Sequence, residues 1–140
     1  HGPRNPFPEG YQPQEVMKLL NAYKENIIAV RGNCDAEVDQ MVLEFPVRGD
    51  YSELYLDGHR FFFTHGHLYD EEHLPMLKAG DVFMYGHIHK PVLKKENDIT
   101  IFNPSSISLP KAGQKSFGIY ENGELKIVSF DKKVLQSIKI

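Results

Sequence analysis

The sequence predicts an α/β fold in which two β-sheets pack face to face, with helices outside. A helical pattern near the start is followed at once by a short apolar run at 27–30, as in α/β units with a mostly parallel strand. After Pro91 the pattern changes to short strand-like runs separated by turn residues. The chain has 140 residues, 41% hydrophobic and 25% charged, which is typical of one globular domain.

The first two-thirds of the chain combine helices and strands. Apolar residues at helical spacing predict a helix from Pro13, and a second short helix over 70–80 ending at Gly80. The pair Asp57-Gly58 predicts a tight hairpin between two strands. The run "DVFMYG", at 81–86, predicts a short buried strand.

The last third predicts antiparallel strands, because turn residues such as Asn97-Asp98 and Asn122-Gly123 interrupt it. These runs are 92–97, 99–106, 116–123, 124–130 and 134–140.

The bulk composition excludes several function classes. No apolar run approaches the roughly 18 residues that a membrane span needs. A net charge of −3 with both signs interspersed offers no basic stripe for a nucleic acid. The lone Cys34 forms no disulfide within the chain, so we expect a cytoplasmic protein. The sequence is compatible with a homo-oligomer, since apolar Phe7 and Tyr11 could pack within the chain or on a partner.

Three apolar runs end alike, in "IIAVRGNCD", "FFFTHGH" and "VFMYGHIH". The polar residues at these ends are Asn33, the pair His65 and His67, and the pair His87 and His89. Ligands of open α/β sheets bind outside the carboxyl ends of the strands. Imidazole nitrogens and amide oxygens are ligands for zinc, manganese or iron. If the three ends share one edge, the sequence predicts a metal site there.

One His-x-His pair alone is a modest signal, because histidines also serve as caps and surface residues. Two pairs behind buried strands favour metal binding, and Gly66 and Gly86 allow the backbone to turn closely under an ion. His1, His59 and His73 lack such a context, and we expect them to be solvated.

The predicted site is poor in carboxylates, which normally neutralise and bridge the ions of a hydrolytic centre. Only Asp35 stands near a matching strand end. Its side chain could bind an ion, or it could hydrogen-bond its own turn.

Four motifs in order resemble those of the calcineurin-like metallophosphoesterases, especially the small bacterial YfcE-like phosphodiesterases. They are "GNCD" at 32–35, "THGH" at 64–67, "GHIHKP" at 86–91 and "NPSSISLPK" at 103–111. The resemblance runs over nearly the whole chain. It implies a four-layer α-β-β-α sandwich with a dinuclear metal centre at the strand ends.

The resemblance also implies roles for the strand-end residues. Asn33, His65 and His87 would bind one ion, and His89 the other. The cofactor would be two divalent ions, with manganese favoured and zinc or iron as alternatives. A hydroxide between ions about 3.5–4 Å apart would attack the phosphorus of a small phosphodiester substrate.

The family's first strands carry Asp-x-His and Gly-Asp, and neither motif occurs in this sequence. We therefore expect the chain, 1–140, to be a single domain that is incomplete at its N-terminus. A strand-helix-strand unit of about 30 residues or more would be absent.

The proton donor to the leaving group is a second departure from the family. Many members have histidine where this chain has Cys34, and a thiol is a poor substitute. His67 could serve instead, or activity could rely on the ions alone and favour good leaving groups, with Cys34 only filling space.

Substrate contacts are less clearly indicated. Arg4 could contact the substrate phosphate, although an exposed loop arginine needs no such role. Asn103 and Ser105 could contact the site, but we interpret them as turn formers.

The sequence therefore favours a metal-dependent phosphodiesterase. The alternative is a catalytically inactive member of the same fold that acts as a protein-interaction scaffold. A zinc-binding structural domain is a third hypothesis, weakened by the absence of clustered cysteines.

Overall fold

The computed structural model describes residues 6–140. The helices are α1 (Pro13–Ala22) and α2 (Glu37–Val42), with a 3₁₀ turn at Lys24–Asn26 between them. The strands are β1 (Tyr51–Leu56), β2 (His59–Thr64), β3 (Val82–Met84), β4 (Pro91–Glu96), β5 (Ile99–Pro104), β6 (Ser116–Glu121), β7 (Glu124–Ser129) and β8 (Val134–Lys139).

The strands form two sheets. The larger has the order β1-β2-β3-β5-β4, and the smaller is an antiparallel meander, β6-β7-β8. In the larger sheet β2, β3 and β5 run parallel, while β1 and β4 are added antiparallel as hairpin partners. Three parallel strands therefore occupy the centre of this sheet, and their carboxyl ends lie at one edge.

The core between the sheets comes from alternate residues that point to one face of each strand. Phe61, Val82 and Phe102 of the larger sheet pack against Leu125 and Ile127 of the smaller one. All five are at most 2% exposed. The predicted α/β fold with sheets packed face to face is confirmed.

The opposite face of the larger sheet carries a second apolar cluster with Phe62 and Phe83. The connection between β2 and β3 covers it, contributing Tyr69 and Leu77. The helix predicted over 70–80 is wrong, because this connection is a loop.

Local chemistry explains the missing helix. The Asp70 carboxylate accepts hydrogen bonds from the N–H groups of Glu72 and His73, at 2.9 and 2.8 Å, which closes a turn. Pro75 follows, and the residue before a proline avoids helical geometry.

Helix α1 begins at Pro13 as predicted. The strand predicted at 27–30 is wrong within the described chain, since no strand of residues 6–140 pairs with this segment. The residue that follows this segment, Arg31, donates a backbone hydrogen bond to the Gly49 carbonyl at 2.7 Å. An apolar groove of about 840 Å³ lies between this segment and the two helices, and Val16 beside it is 53% exposed.

The predicted hairpin turns are confirmed by their backbone angles. Asp57 and Gly58 have φ of 50° and 84°, and Asn122 and Gly123 have 53° and 74°. Two successive positive φ values are what a two-residue hairpin requires.

Two further expectations concern surfaces. Among residues 6–140, no helix is long and apolar enough to cross a membrane. The rings of Phe7 and Tyr11 lie against each other, with centroids 4.7 Å apart, so both contact a neighbour within the chain.

Gly118 in β6 lies directly against Phe102 of the larger sheet. A Cβ atom there would lie 2.6 Å from Cζ of Phe102, which is fully buried. We expect Gly118→Ala to lower the free energy of unfolding by about 1–3 kcal/mol, because the ring has no free space to move into. Urea denaturation followed by circular dichroism measures this change.

A double-mutant cycle provides the control. Phe102→Leu removes the ring that the new methyl group would meet, so Gly118→Ala should cost less in that background. Equal costs in both backgrounds would show that the contact with Phe102 is not the cause.

Candidate metal centre

The candidate residues follow the ends of the parallel strands. His65 and His67 come directly after β2, and His87 and His89 follow β3. Because β2 and β3 are adjacent and parallel, both histidine pairs leave the sheet at the same edge. The predicted meeting of the two pairs is therefore observed.

The two loops are joined to each other by backbone contacts. The Gly86 N–H donates to the His65 carbonyl at 2.9 Å. Gly66 has φ of 103°, and a Cβ atom on it would lie 3.0 Å from the Tyr85 ring and 3.2 Å from Cβ of His87. The expected close turn is confirmed at Gly66, where a side chain has neither the space nor the backbone angle it needs.

Asn33 reaches the same edge from a separate loop. Asp35 closes that loop, because its carboxylate accepts the Gly32 N–H at 2.5 Å. Of the two alternatives for Asp35, the structure shows the hydrogen bond within its own turn. Gly32 is buried beside His65, and a Cβ atom there would lie 3.3 Å from Nδ1 of that imidazole.

Three candidate ligand atoms converge at this point. His65 Nε2 lies 2.9 Å from Asn33 Oδ1 and 3.2 Å from His87 Nδ1. A single proton on His65 Nε2 serves at most one of these contacts well. Ligand atoms bonded to one ion at 2.0–2.2 Å stand about 2.8–3.6 Å apart, so the observed spacing fits a shared ion.

His89 has a defined protonation pattern. Its Nδ1 lies 2.8 Å from the Leu109 carbonyl, which can only accept, so the nitrogen must carry the proton. In the neutral ring Nε2 is then the unprotonated nitrogen and is available to a metal ion. This arrangement, in which the second ring nitrogen is held by a carbonyl, is typical of metal-binding histidines.

His67 is close to the cluster and has an unsatisfied nitrogen. Its ring centroid lies 5.3 Å from that of His65 and 6.4 Å from that of His87. Its Nδ1 is buried and has no hydrogen-bond partner among the described residues. A buried polar atom without a partner is costly and often marks a place where a ligand, ion or water belongs.

The surroundings of His65 lower the pKa of its imidazole. Burial, and then the neighbouring His87 and His67, lower the pKa of His65 to about 4, although Asp35 acts in the opposite direction. The His65 imidazole is therefore neutral at pH 7, which is the form that binds a metal ion.

The candidate metal ligands are mostly imidazole nitrogens, with no carboxylate among the converging atoms. Within residues 6–140, no three His, Cys, Asp or Glu side chains are grouped so that they alone could hold an ion. The convergent site depends on the Asn33 amide beside two histidines, a donor set that suits a divalent transition ion.

The loop after β2 is anchored to the sheet near the site. The Tyr85 hydroxyl donates to Glu71, whose other oxygen pairs with Lys94 at 2.6 Å. Burial and the Glu71 carboxylate raise the pKa of Tyr85, so the hydroxyl keeps its proton and remains a donor.

The remaining predicted residues are distributed as follows. Cys34 is exposed and unpaired with any other cysteine. Arg4 and His1 lie outside the described residues. His73 is exposed, as expected, but His59 is not simply solvated, because its Nδ1 donates to the Gly80 carbonyl at 2.8 Å.

Comparisons with known proteins identify the family of the chain. Residues 11–124 match the calcineurin-like phosphoesterase superfamily domain. The chain is 45% identical to the phosphodiesterase YfcE of Escherichia coli K12 over 142 residues, covering all of this chain and 77% of that protein. It is 31% identical to a phosphodiesterase of Methanocaldococcus jannaschii, covering 76% of this chain and 68% of that protein.

Solved structures show the same relationship. The structure of the E. coli phosphoesterase YfcE superposes with a TM-score of 0.97, covering all of this chain and 78% of that one. Vacuolar protein sorting 29 of Cryptosporidium parvum, at 19% identity and a TM-score of 0.59, shares the fold; the match covers 91% of this chain and 77% of that one.

The lowered pKa of His65 predicts a pH dependence of stability without metal. Between the ordinary histidine pKa of about 6.5 and the folded value of about 4, the unfolded chain binds more protons than the folded one. The contribution of His65 to the free energy of unfolding is therefore fully present above pH 6.5, and it is lost as the pH drops towards 4. Urea denaturation in EDTA at several pH values in this window measures the slope.

His65→Gln removes the titrating imidazole, so the free energy of unfolding of this variant should change less with pH. Lys90→Gln, at an exposed position in the neighbouring loop, is the matched control and should keep the original slope. An unchanged slope in His65→Gln would contradict the assignment.

Proposed function

The chain belongs to the calcineurin-like phosphoesterase superfamily, and from this premise we propose that it hydrolyses a small phosphodiester with divalent metal ions. The observation that carries the proposal is the convergence of Asn33 Oδ1 and His87 Nδ1 on His65 Nε2. The relatives from E. coli and M. jannaschii that are 45% and 31% identical are phosphodiesterases, which supports a diester rather than a monoester as the substrate.

The proposed ligand set follows from the site. Asn33, His65 and His87 would hold one ion, and His89 would bind a second through Nε2. Manganese is the proposed metal, with zinc and iron as alternatives, since these donors suit all three. When bound, such ions act as Lewis acids on the phosphate and activate a water molecule for in-line attack.

The chain's own residues prepare this site. The low pKa of His65 leaves its ring neutral at pH 7, so no proton competes with an ion. The bond from His89 Nδ1 to the Leu109 carbonyl selects the tautomer with a free Nε2. The loop connections keep these atoms together before any ligand binds, which reduces the ordering that binding requires.

His67 is the proposed proton donor to the leaving oxygen. It stands beside His65 with an unsatisfied buried nitrogen, within the same strand-end loop. Cys34, the other candidate, is exposed, and a thiol transfers a proton poorly near pH 7. For Arg4, contact with the substrate phosphate stays a proposal.

Removal of metal or of a ligand tests the central claim. Protein treated with chelator should hydrolyse a chromogenic aryl phosphodiester only after Mn²⁺ is added, and EDTA should abolish the activity. His87→Ala and His89→Ala should each lower kcat/KM by at least about 100-fold, since even residues behind the ligands contribute 10- to 100-fold. Steady-state kinetics measures both effects.

His73→Ala is the matched control, because His73 is exposed and its Nδ1 lies against the Asp70 carboxylate. It should keep wild-type kinetics. Activity that persists in EDTA, or in His87→Ala, would overturn the proposed metal mechanism.

The role of His67 is tested by varying the leaving group. An aryl oxide leaves without a proton, whereas an alkoxide needs one, and general acids contribute about 100-fold or more. His67→Gln should therefore lower kcat for an alkyl diester by about 100-fold and change kcat for a nitrophenyl diester little. The ratio of the two kcat values is the measurement.

Cys34→Ser provides the comparison and should change neither rate. Equal losses on both substrates in His67→Gln would indicate that His67 acts on the ions or the fold and not as the acid. A selective loss in Cys34→Ser would assign the role to the cysteine.

The alternative function is a protein-interaction scaffold with the same fold. The observation that favours it is the apolar exposure along the groove, whose lining residues Val16 and Val38 are 53% and 56% exposed. Under this alternative the protein binds Mn²⁺ but has no metal-dependent activity on any diester, so the kinetic test separates the two.

A further inference from the structure

The turn that carries His87 and His89 has an unfavourable backbone. Both histidines have positive φ, 62° and 58°, in the left-handed region that residues with a side chain rarely adopt. Such a conformation persists only where the surrounding structure holds it, and it is common at functional sites. The contacts that hold this turn are therefore relevant to the ligands it presents.

Asn103 provides the first of these contacts. It lies at the end of β5, the third parallel strand, and is fully buried. Its Nδ2 donates to the Gly86 carbonyl at 2.7 Å, directly before His87. Its Oδ1 accepts the N–H of Ser105 at 3.0 Å. One amide therefore connects the loop after β5 to the histidine turn.

Ser105 provides the second contact. Its side chain is buried, and its Oγ donates to the His89 carbonyl at 3.1 Å. Lys111 N–H donates to the same carbonyl at 2.8 Å, and Leu109 accepts from the His89 ring. The segment 105–111 therefore contacts both the backbone and the ring of His89.

A turn-forming role explains only part of this arrangement. The bond from Asn103 Oδ1 to the N–H two residues later closes a local turn, as asparagine often does. It does not account for the bonds to Gly86 and His89, which are 17 and 16 residues away from their partners in sequence. Those bonds join separate loops at the candidate metal centre.

The chemistry also specifies the residue types. Joining the Gly86 carbonyl to the Ser105 N–H takes one donor and one acceptor, and a carboxamide supplies both in one plane. Without Asn103 the Gly86 carbonyl would keep only its bond from the Ile88 N–H, at 2.7 Å within the turn, and the left-handed turn would be less firmly held to β5.

We propose that Asn103 and Ser105 are positioning residues that hold the 86–89 turn so that His87 and His89 present their ligand nitrogens. This inference rests on the proposed metal function of those histidines. In this role the two residues act through the backbone of the turn, to which their side chains are hydrogen-bonded.

The affinity for Mn²⁺ tests the inference without relying on activity. Chelator-treated protein is titrated with Mn²⁺, and the free ion is measured by electron paramagnetic resonance. Asn103→Ala should weaken binding by about 10- to 100-fold, the range for residues that orient metal ligands. Ser105→Gly, which keeps the positive φ of 75° but removes the hydroxyl, should weaken it in the same direction.

Asn97→Ala is the matched control. Asn97 lies in the turn between β4 and β5, also with positive φ, so the same substitution strains the backbone there and lowers stability. It makes no contact with the histidine turn and should leave the Mn²⁺ affinity within about twofold. The control thus separates lost stability from lost positioning.

Four outcomes of the Mn²⁺ titration are informative. Weaker Mn²⁺ binding in Ser105→Gly and in folded Asn103→Ala, with Asn97→Ala unchanged, supports positioning. Wild-type affinity in Ser105→Gly overturns the Ser105 part even if Asn103→Ala does not fold, and wild-type affinity in both variants overturns the whole inference. Wild-type affinity in His89→Ala would instead overturn the proposed role of His89, a failure that is distinct from the other two.

Discussion

The site depends on the parallel alignment of β2, β3 and β5. Parallel strands share a direction, so their carboxyl ends and the loops that follow must lie at one edge. Val82, Phe83 and Ile101 anchor two of these strands on both faces of the sheet, and none of the three is exposed to solvent. The apolar core therefore determines where the polar groups meet, although it contains none of them.

The loops at this edge are connected to one another as well as to the sheet. The His65 carbonyl accepts from Gly86, and the Gly86 carbonyl accepts from Asn103. Each of the three parallel strands thus contributes to one chain of hydrogen bonds around Gly86. Short polar contacts of this kind form before any ligand binds, and they explain how strained residues such as His87 are tolerated.

Sequence patterns predicted the parts of the fold that depend on near neighbours. The hairpin at Asp57-Gly58 and the helix from Pro13 are confirmed, because turn conformation and helix initiation depend on a few adjacent residues. Of the two wrong predictions, one has a local cause and the other depends on residues far away in the sequence. The helix over 70–80 failed because Asp70 closes a turn with its own carboxylate. The strand at 27–30 failed because a strand requires a partner elsewhere in the chain.

The sequence by itself predicted the candidate ligand types, since two His-x-His pairs and Asn33 behind apolar runs are a pattern typical of a metal site. It also identified the family that the comparisons support. Only the tertiary structure decided which ring nitrogens converge, which tautomer His89 adopts and that Asn103 joins two loops. These depend on contacts between residues 17 or more positions apart, and no local pattern encodes the distance between such atoms.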